Sequence, residues 1–327
     1  MSNFIPLDKP VPVTEQIWPV QTLPVVSVFN WVYNHVDYIR ESIESILVQK
    51  TTFPIEIIIH DDASNDGTAD IIKEYERKYP HLFRNILHTE NQWSQGKSVM
   101  TPLFEKPKGK YLALTHGDDY WTDPHKLQKQ VDFLETNPKY SSSITLFNVL
   151  ETDTIKPYYN AIYKIKNEFN TKDIIENWFT QTATLVFKKE TLNNLPEFYN
   201  FYQIDFTLLL LISLNGNIKL IPEFCSVYRN HNNGISKQGS TLDNDLKLYY
   251  KRKVMFQKFN DFTQYKYEKS ISYNLNYTHW YLLVQHKNNT FGKIYITLKY
   301  FFKIKFFSKL TIKSNLVIVF PILNKLK

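Results

Sequence analysis

The 327-residue chain has one cysteine, Cys225, which excludes an internal disulfide framework and a cysteine-based zinc ribbon. Its 8 glycines are too few for a collagen-like repeat or a glycine-rich linker. No uninterrupted run of about 18 apolar residues occurs, which argues against a membrane-spanning helix. Met1 to Pro6 lacks a basic stretch followed by an apolar run, so no secretory signal is read. These absences fit a reducing, cytoplasmic setting. Gly-x-Gly-x-x-Gly is missing, which disfavours a dinucleotide site, and Gly-x-Ser-x-Gly is missing, which removes the hydrolase elbow. Gly96-Lys97-Ser98 resembles the end of a phosphate loop, but Asn91 stands where the earlier glycine would be. Lys97 is left as either a phosphate contact or a solvated lysine.

What is present is globular in character: 43% hydrophobic, 22% charged and 16% aromatic residues, enough to bury a sizeable core. The net charge of +7 is unevenly spread. From Lys269 to Lys327 there are ten lysines and no Asp, Glu or Arg, so the first 268 residues hold 29 basic and 32 acidic residues. The body is near neutral and the basic character belongs to a tail. Such asymmetry points to an anionic partner surface. Nucleic acid is disfavoured, because no aromatic-plus-glycine single-strand motif is present.

Residues 1–23 are proline-rich and aperiodic and read as an extended arm. Strands and helices then alternate. Val25–Phe29, Glu56–Ile59, Phe83–Leu87 and Tyr111–Thr115 read as strands; Val36–Gln49 and Thr68–Tyr79 carry apolar residues at helical spacing. Asp123-Pro124 reads as a helix start, a carboxylate cap followed by proline. Further on, Ser141–Val149, Thr182–Phe187 and Phe224–Arg229 read as strands, Phe206–Leu214 as a buried helix, and about 243–289 as helix rich in Tyr and Lys. Such alternation predicts a mostly parallel sheet covered on both faces, with ligands beyond the carboxyl ends of its strands.

Those ends carry the chemistry. Trp31-Val32-Tyr33-Asn34 follows the first strand, His60-Asp61-Asp62 the second, and His116-Gly117-Asp118-Asp119 a later one. Adjacent carboxylates repel, so Asp118 and Asp119 either hold a hard divalent cation, Mg²⁺ or Mn²⁺, or serve a turn. Around Asp61 and Asp62, the residues Ser64, Asp66, Gly67 and Thr68 supply turn and cap chemistry, while one carboxylate is free in principle to accept the N3–H of a uracil. Asp205, before Phe206-Thr207-Leu208-Leu209, is either a helix cap or a general base. His231, in the turn His231-Asn232-Asn233-Gly234, is either structural or a ligand.

Taken together, these segments resemble a family 2 glycosyltransferase with the GT-A fold. The resemblance rests on Pro24-Val25-Val26-Ser27-Val28 with Tyr33-Asn34, on Glu56 through Thr68, on Gly109-Lys110-Tyr111 through Trp121 with Asp123-Pro124, on Gln203-Ile204-Asp205, and on Val227 through His231. It covers about residues 24–236. It implies an α/β, Rossmann-like, mostly parallel central sheet flanked by helices, with three parts: arm 1–23, catalytic domain 24–240 and helical basic extension 241–327. It implies inverting transfer from a nucleotide-sugar, a UDP-sugar by expectation, to a glycan or lipid-linked acceptor in bacterial surface polysaccharide synthesis. Asp205 is then the base. Asp118 and Asp119 hold Mn²⁺ or Mg²⁺, joined by His231, and Trp31, Tyr33, Asn34, Asp62, Lys97 and Asp118 line the nucleotide.

Two positions depart from the family pattern. His116 stands where an Asp or Glu usually opens the acidic motif; imidazole suits Mn²⁺ or Zn²⁺ better than Mg²⁺ if it ligates directly, and otherwise sits behind the ligands or near the donor sugar. Ile204 replaces an acid beside Asp205. These departures sustain an alternative, a non-catalytic sugar- or nucleotide-binding protein on the same scaffold. The tail beyond residue 290, with lysines between aromatic and aliphatic residues, reads either as a peripheral membrane contact or as a helix packed on the body.

Overall fold

The computed structural model describes residues 4–193, 195–196, 204–231, 241–287, 290–300 and 303. At its centre lies a parallel block of strands. β2 (Val26–Val32) is flanked by β4 (Ile55–Asp61) on one side and β6 (Tyr111–His116) on the other, and β5 (Ile86–Leu87) extends the β4 side. Here β1 is Val11–Pro12, which pairs with β3 (Lys50–Thr51) away from the main sheet. The arm is thus clamped rather than merely extended. Gln16 donates from Nε2 to the carbonyl of Thr51 at 2.8 Å and to its hydroxyl at 2.9 Å.

Beyond β6 the sheet becomes mixed. β11 (Val186–Lys188) runs antiparallel to both β6 and β8 (Tyr140–Glu151), and β8 pairs in parallel with β12 (Asn217–Asn230). β9 (Thr154–Pro157) continues β8 as a hairpin, β10 (Glu168–Phe169) edges β12, and the short β7 (Tyr120–Trp121) also pairs with β12. The strand expected over Thr182–Phe187 is in fact a 3-10 turn at Thr182–Thr184 followed by β11. The turn forms because Thr184 and Gln181 bond locally, Thr184 Oγ1 donating to the Gln181 carbonyl at 2.7 Å.

Helices cover both faces. α1 (Ile39–Leu47), α2 (Thr68–Lys78) and α4 (Lys126–Thr136) pack on the face formed by Val26, Val28, Ile57 and Ile59. α3 (Thr101–Glu105), α5 (Thr171–Glu176) and α6 (Ile204–Ile212) pack on the other, against Phe29, Ile58 and Leu112. Period-2 alternation along β2 and β4 divides each strand between the two cores. Fully burying each large apolar side chain contributes roughly 1.5–3 kcal/mol. α4 begins two residues after Pro124. Asp123 does not cap it; its carboxylate accepts from the His125 amide at 2.8 Å and from Lys129 at 2.7 Å. The first residue of α4, Lys126, is fully buried, donates to Gln130 at 2.8 Å and lies 4.4 Å above the Trp121 ring. Burial lowers its pKa to about 7.

The long helical stretch near the C-terminus divides into α7 (Leu242–Phe262), α8 (Glu268–Gln285) and α9 (Thr290–Tyr300). The break between α7 and α8 has Gln264 and Tyr265 at positive φ, 51° and 60°. Met255, Phe256, Phe259 and Ile271 join the same core as Phe206 and Leu208, so α7 and α8 are packed onto the body that holds the sheet.

Candidate functional site

Register alone brings the strand-end residues together: Trp31 of β2 lies beside His60 of β4 and His116 of β6. Both neighbours of β2 end at the same level. This is the crevice where chain order reverses across a parallel sheet.

The acidic turn sits at the end of β6. Asp119 N–H donates to the His116 carbonyl at 3.1 Å, which closes the turn. Gly117 inside it is required by crowding, since a Cβ there would lie 2.6 Å from Nδ1 of His35. The ligand atoms of His116, Asp118 and Asp119 all lie within 4.8 Å of one another. Asp119 is buried; its Oδ1 accepts from the Arg229 amide at 2.9 Å, while Oδ2 has no partner among the described residues. Burial, then the neighbouring Asp118 charge, pushes the Asp119 carboxyl well above the usual range. Asp118 behaves oppositely. Burial pushes it up, but His35, His116 and His231 together outweigh that and hold it below the ordinary value. His231 Nε2 is 3.1 Å from Asp118 Oδ2, and His35 Nε2 is 3.8 Å away. Two carboxylates and an imidazole, with one buried oxygen unmatched, form a donor set suited to a divalent cation such as Mn²⁺.

Arg229 holds this turn from β12. Its Nε donates to the Asp118 carbonyl at 2.9 Å, its guanidinium pairs with Glu41, and it lies over the rings of Tyr38 and Tyr120 at 4.7 and 5.4 Å. A planar cation with several donors can do all of this at once, which lysine cannot.

The second strand end is organised mainly by its own carboxylates. Asp61 accepts from the Ser64 amide at 3.2 Å and from the Ser64 hydroxyl. Asp66 accepts from the Thr68 and Val36 amides, both at 3.0 Å. Asp62 is buried, and each oxygen holds a backbone amide of the loop after β5: Gln92 at 2.6 Å and Trp93 at 3.0 Å. The carboxylate expected to stand free for a base thus shapes the loop that would cover it. Trp31 is half-buried, packs on Phe29 and His116, and donates to the Val99 carbonyl at 3.1 Å. Tyr33 is exposed. Asn34 adopts a left-handed φ of 53° and accepts from the Asn65 amide at 3.0 Å. Lys97 is exposed in the loop and makes no side-chain bond among the described residues.

Asp205, at the start of α6, lies near enough to His116 to feel its charge. Its Oδ1 accepts from the Phe206 amide at 2.8 Å, so part of the cap reading holds. The side chain is exposed, with neighbouring protein stripping part of its water. That environment raises its pKa, with His116 pulling the other way. Beside it, the Trp178 ring is 5.9 Å from that of Phe206 and 39% exposed, and Arg252 of α7 lies 4.9 Å over the Phe206 ring. Sequence reasoning did not find His35, Trp178, Arg229 or Arg252. Two of them carried a signal: His35 as the residue directly after Tyr33-Asn34, and Arg229 as a member of the Val227–His231 segment. A separate cavity of about 420 Å³ at the far ends of β6 and β11 is remote from these acids; its Lys110 pairs with Glu135, and its Lys188 and Lys189 bond backbone carbonyls.

Comparison with known proteins gives the family and the fold. The profile of Glycosyl transferase family 2 matches residues 27–230. The uncharacterized protein Rv1520 of Mycobacterium tuberculosis is 36% identical over 213 residues, 64% of this chain and 60% of that protein, so the match spans well under the relative's full length. The Escherichia coli protein WfaP, named a UDP-Glc:alpha-D-GlcNAc-diphosphoundecaprenol beta-1,3-glucosyltransferase, is 27% identical over 219 residues, 65% of this chain and 80% of that one. Among solved structures, S. aureus TarS 1-349 in complex with UDP-GlcNAc superposes with a TM-score of 0.62 at 15% identity, covering 85% of this chain and 81% of that chain. The fold is therefore that of the GT-A glycosyltransferases.

Proposed function

The chain belongs to glycosyl transferase family 2, and from that premise we propose that it is an inverting enzyme moving a sugar from a UDP-sugar to a hydroxyl of a glycan or lipid-linked acceptor. The observation that carries this is the cluster of His116, Asp118 and Asp119 at the end of β6, with one buried Asp119 oxygen unmatched, and near it the exposed carboxylate of Asp205. The relative whose name specifies UDP-Glc and a diphosphoundecaprenol acceptor, and the structural neighbour bound to UDP-GlcNAc, support the choice of donor and acceptor classes.

In this reading Trp31, Tyr33 and Asn34 border the base. Asp62 faces the uracil while holding Gln92 and Trp93, since a carboxylate has more lone pairs than two amides use. Lys97 reaches toward phosphate from the same loop. Asp118 and Asp119 hold a divalent cation, Mn²⁺ or Mg²⁺, with His116 or His231 beside them; when bound it neutralises charge on the departing diphosphate. Asp205 takes the proton of the acceptor hydroxyl. The acceptor oxygen forms its bond to the anomeric carbon as the bond from that carbon to the diphosphate oxygen breaks, and UDP leaves. The exposed ring of Trp178 offers the acceptor sugar an apolar face to stack on.

No described helix is long and apolar enough to cross a membrane. We place the enzyme in the cytoplasm, with peripheral contact at the inner face of the cell membrane through its lysine-rich C-terminus. The deciding experiment is UDP release from a panel of UDP-sugars with Mn²⁺, with and without an undecaprenyl-diphosphate sugar acceptor. Release from at least one donor, abolished by chelator, is expected. Donor binding with no UDP release from any donor or acceptor would favour the non-catalytic alternative instead.

A further inference from the structure

The last described helix carries an exposed apolar stripe. Phe291, Tyr295 and Leu298 recur at i, i+4 and i+7 of α9, on one face, and are 80%, 70% and 66% exposed. The opposite face is fixed to α8: Trp280 Nε1 donates to Thr297 Oγ1 at 3.2 Å, and the Tyr300 hydroxyl is 2.9 Å from His279 Nδ1. The stripe therefore cannot turn inward without breaking those bonds. Exposed Lys299 borders it, and exposed Lys303 lies just past the end of the helix. No Asp or Glu occurs from Lys269 to the end of the chain. An apolar face bordered by lysine and with no nearby acid in sequence is complementary to an anionic lipid surface.

The stripe is tied to the acceptor side of the cleft. Ser270 Oγ donates to Glu176 at 2.9 Å and Asn274 to the Ile175 carbonyl at 2.7 Å, which join α8 to α5. Arg252 joins α7 to Phe206, next to Asp205. We propose that this face of α9 lies in the headgroup layer of an anionic bilayer and holds the Asp205 side of the cleft toward acceptors carried by that bilayer. The purpose assigned to the contact rests on the transfer reading above; the contact itself does not.

Sedimentation with vesicles tests it on the full-length protein. Vesicles of mixed phosphatidylglycerol and phosphatidylcholine are compared with phosphatidylcholine alone, across a range of salt. The wild type should sediment with the anionic vesicles, and less so as salt rises. The triple variant Phe291→Ser/Tyr295→Ser/Leu298→Ser should partition at least about tenfold less, and so should Lys299→Gln/Lys303→Gln. UDP release from the soluble donor should be unchanged in both. Equal partitioning of wild type and the apolar triple variant overturns the proposal. So does an absence of vesicle binding in the wild type. In that case, loss of a concentration-dependent dimer in the apolar variant would assign the face to a second copy of this chain, and a lowered Tm would assign it to the chain's own last residues. Sedimentation is read without donor or acceptor, so its failure leaves the transfer reading standing, and the converse holds.

Discussion

Asp119 makes the presence of a cation measurable without any sugar chemistry. One of its oxygens is bonded to the Arg229 amide and the other is buried without a partner among the described residues, next to the Asp118 carboxylate. Leaving such an acceptor unmet costs about 1–3 kcal/mol, more if it is charged. A cation that binds only the folded protein adds about 2.7 kcal/mol of stability at a hundredfold excess over its Kd. For a chain of this length about 2 °C of Tm accompanies each kcal/mol, so saturating Mn²⁺ should raise the wild-type Tm by roughly 5 °C and chelator should reverse it. Asp119→Asn keeps an oxygen toward Arg229 and removes the charge. In chelator its Tm should equal or exceed that of the wild type by up to a few degrees, and Mn²⁺ should shift it by less than about 1 °C. Differential scanning calorimetry in matched buffers reads both numbers. An unchanged wild-type Tm in saturating Mn²⁺, or the same shift in Asp119→Asn, would refute the assignment of a cation to this pair.

Other outcomes follow from the remaining geometry. Asp205→Asn should keep donor binding, measured by calorimetric titration, while turnover falls about 10²–10⁴-fold; turnover near normal would take Asp205 out of the mechanism. Because partial desolvation raises the Asp205 pKa, the acid limb of turnover against pH should lie above that of an unperturbed Asp and be absent from the residual activity of that variant. Trp178→Ala should raise the acceptor KM about tenfold with kcat and donor KM nearly unchanged, and Trp178→Phe should restore most of it; a fall in kcat alone would contradict stacking. His60, buried and 3.0 Å from Nε2 of His88, has its pKa lowered to about 4, chiefly by burial. The unfolded chain takes up that proton near pH 6.5. Stability should therefore be full above about pH 6.5 and be lost as pH falls toward 4, by about 3 kcal/mol from this group. Urea midpoints across that range for His60→Gln should show a correspondingly flatter acid limb.

Much was legible in short stretches. Val26, Val28, Ile57 and Ile59 announce buried strands because a parallel sheet covered on both faces needs continuous apolar runs. The turn chemistry of Asp61 through Thr68 was also readable, since Ser64 and Thr68 bond carboxylates only two or three residues away. From the strand order came the position of the crevice, and with it the candidacy of Asp118 and Asp119; Asp205 was singled out by its place before an apolar helix and by the family resemblance. Helix starts were read less well. Asp123-Pro124 has the right residue types, yet Lys129 and the His125 amide take up the Asp123 carboxylate and the helix waits for Lys126.

What sequence could not determine is who holds whom across distance. Arg229 grips a turn 110 residues earlier, His35 and His231 converge on Asp118 from opposite ends of the domain, and Asp62 uses its carboxylate on Gln92 and Trp93, about 30 residues on. Trp178 reaches the flank of Asp205 only because α5 and α6 pack in one core, and α7 and α8 join that core although their composition reads as a separate extension. Local patterning records backbone geometry and which face is apolar, because those depend on neighbours a few residues apart. The protonation state of a carboxylate and the exposure of a ring depend on burial and on charges brought in from elsewhere in the chain, and only the packed tertiary structure supplies them.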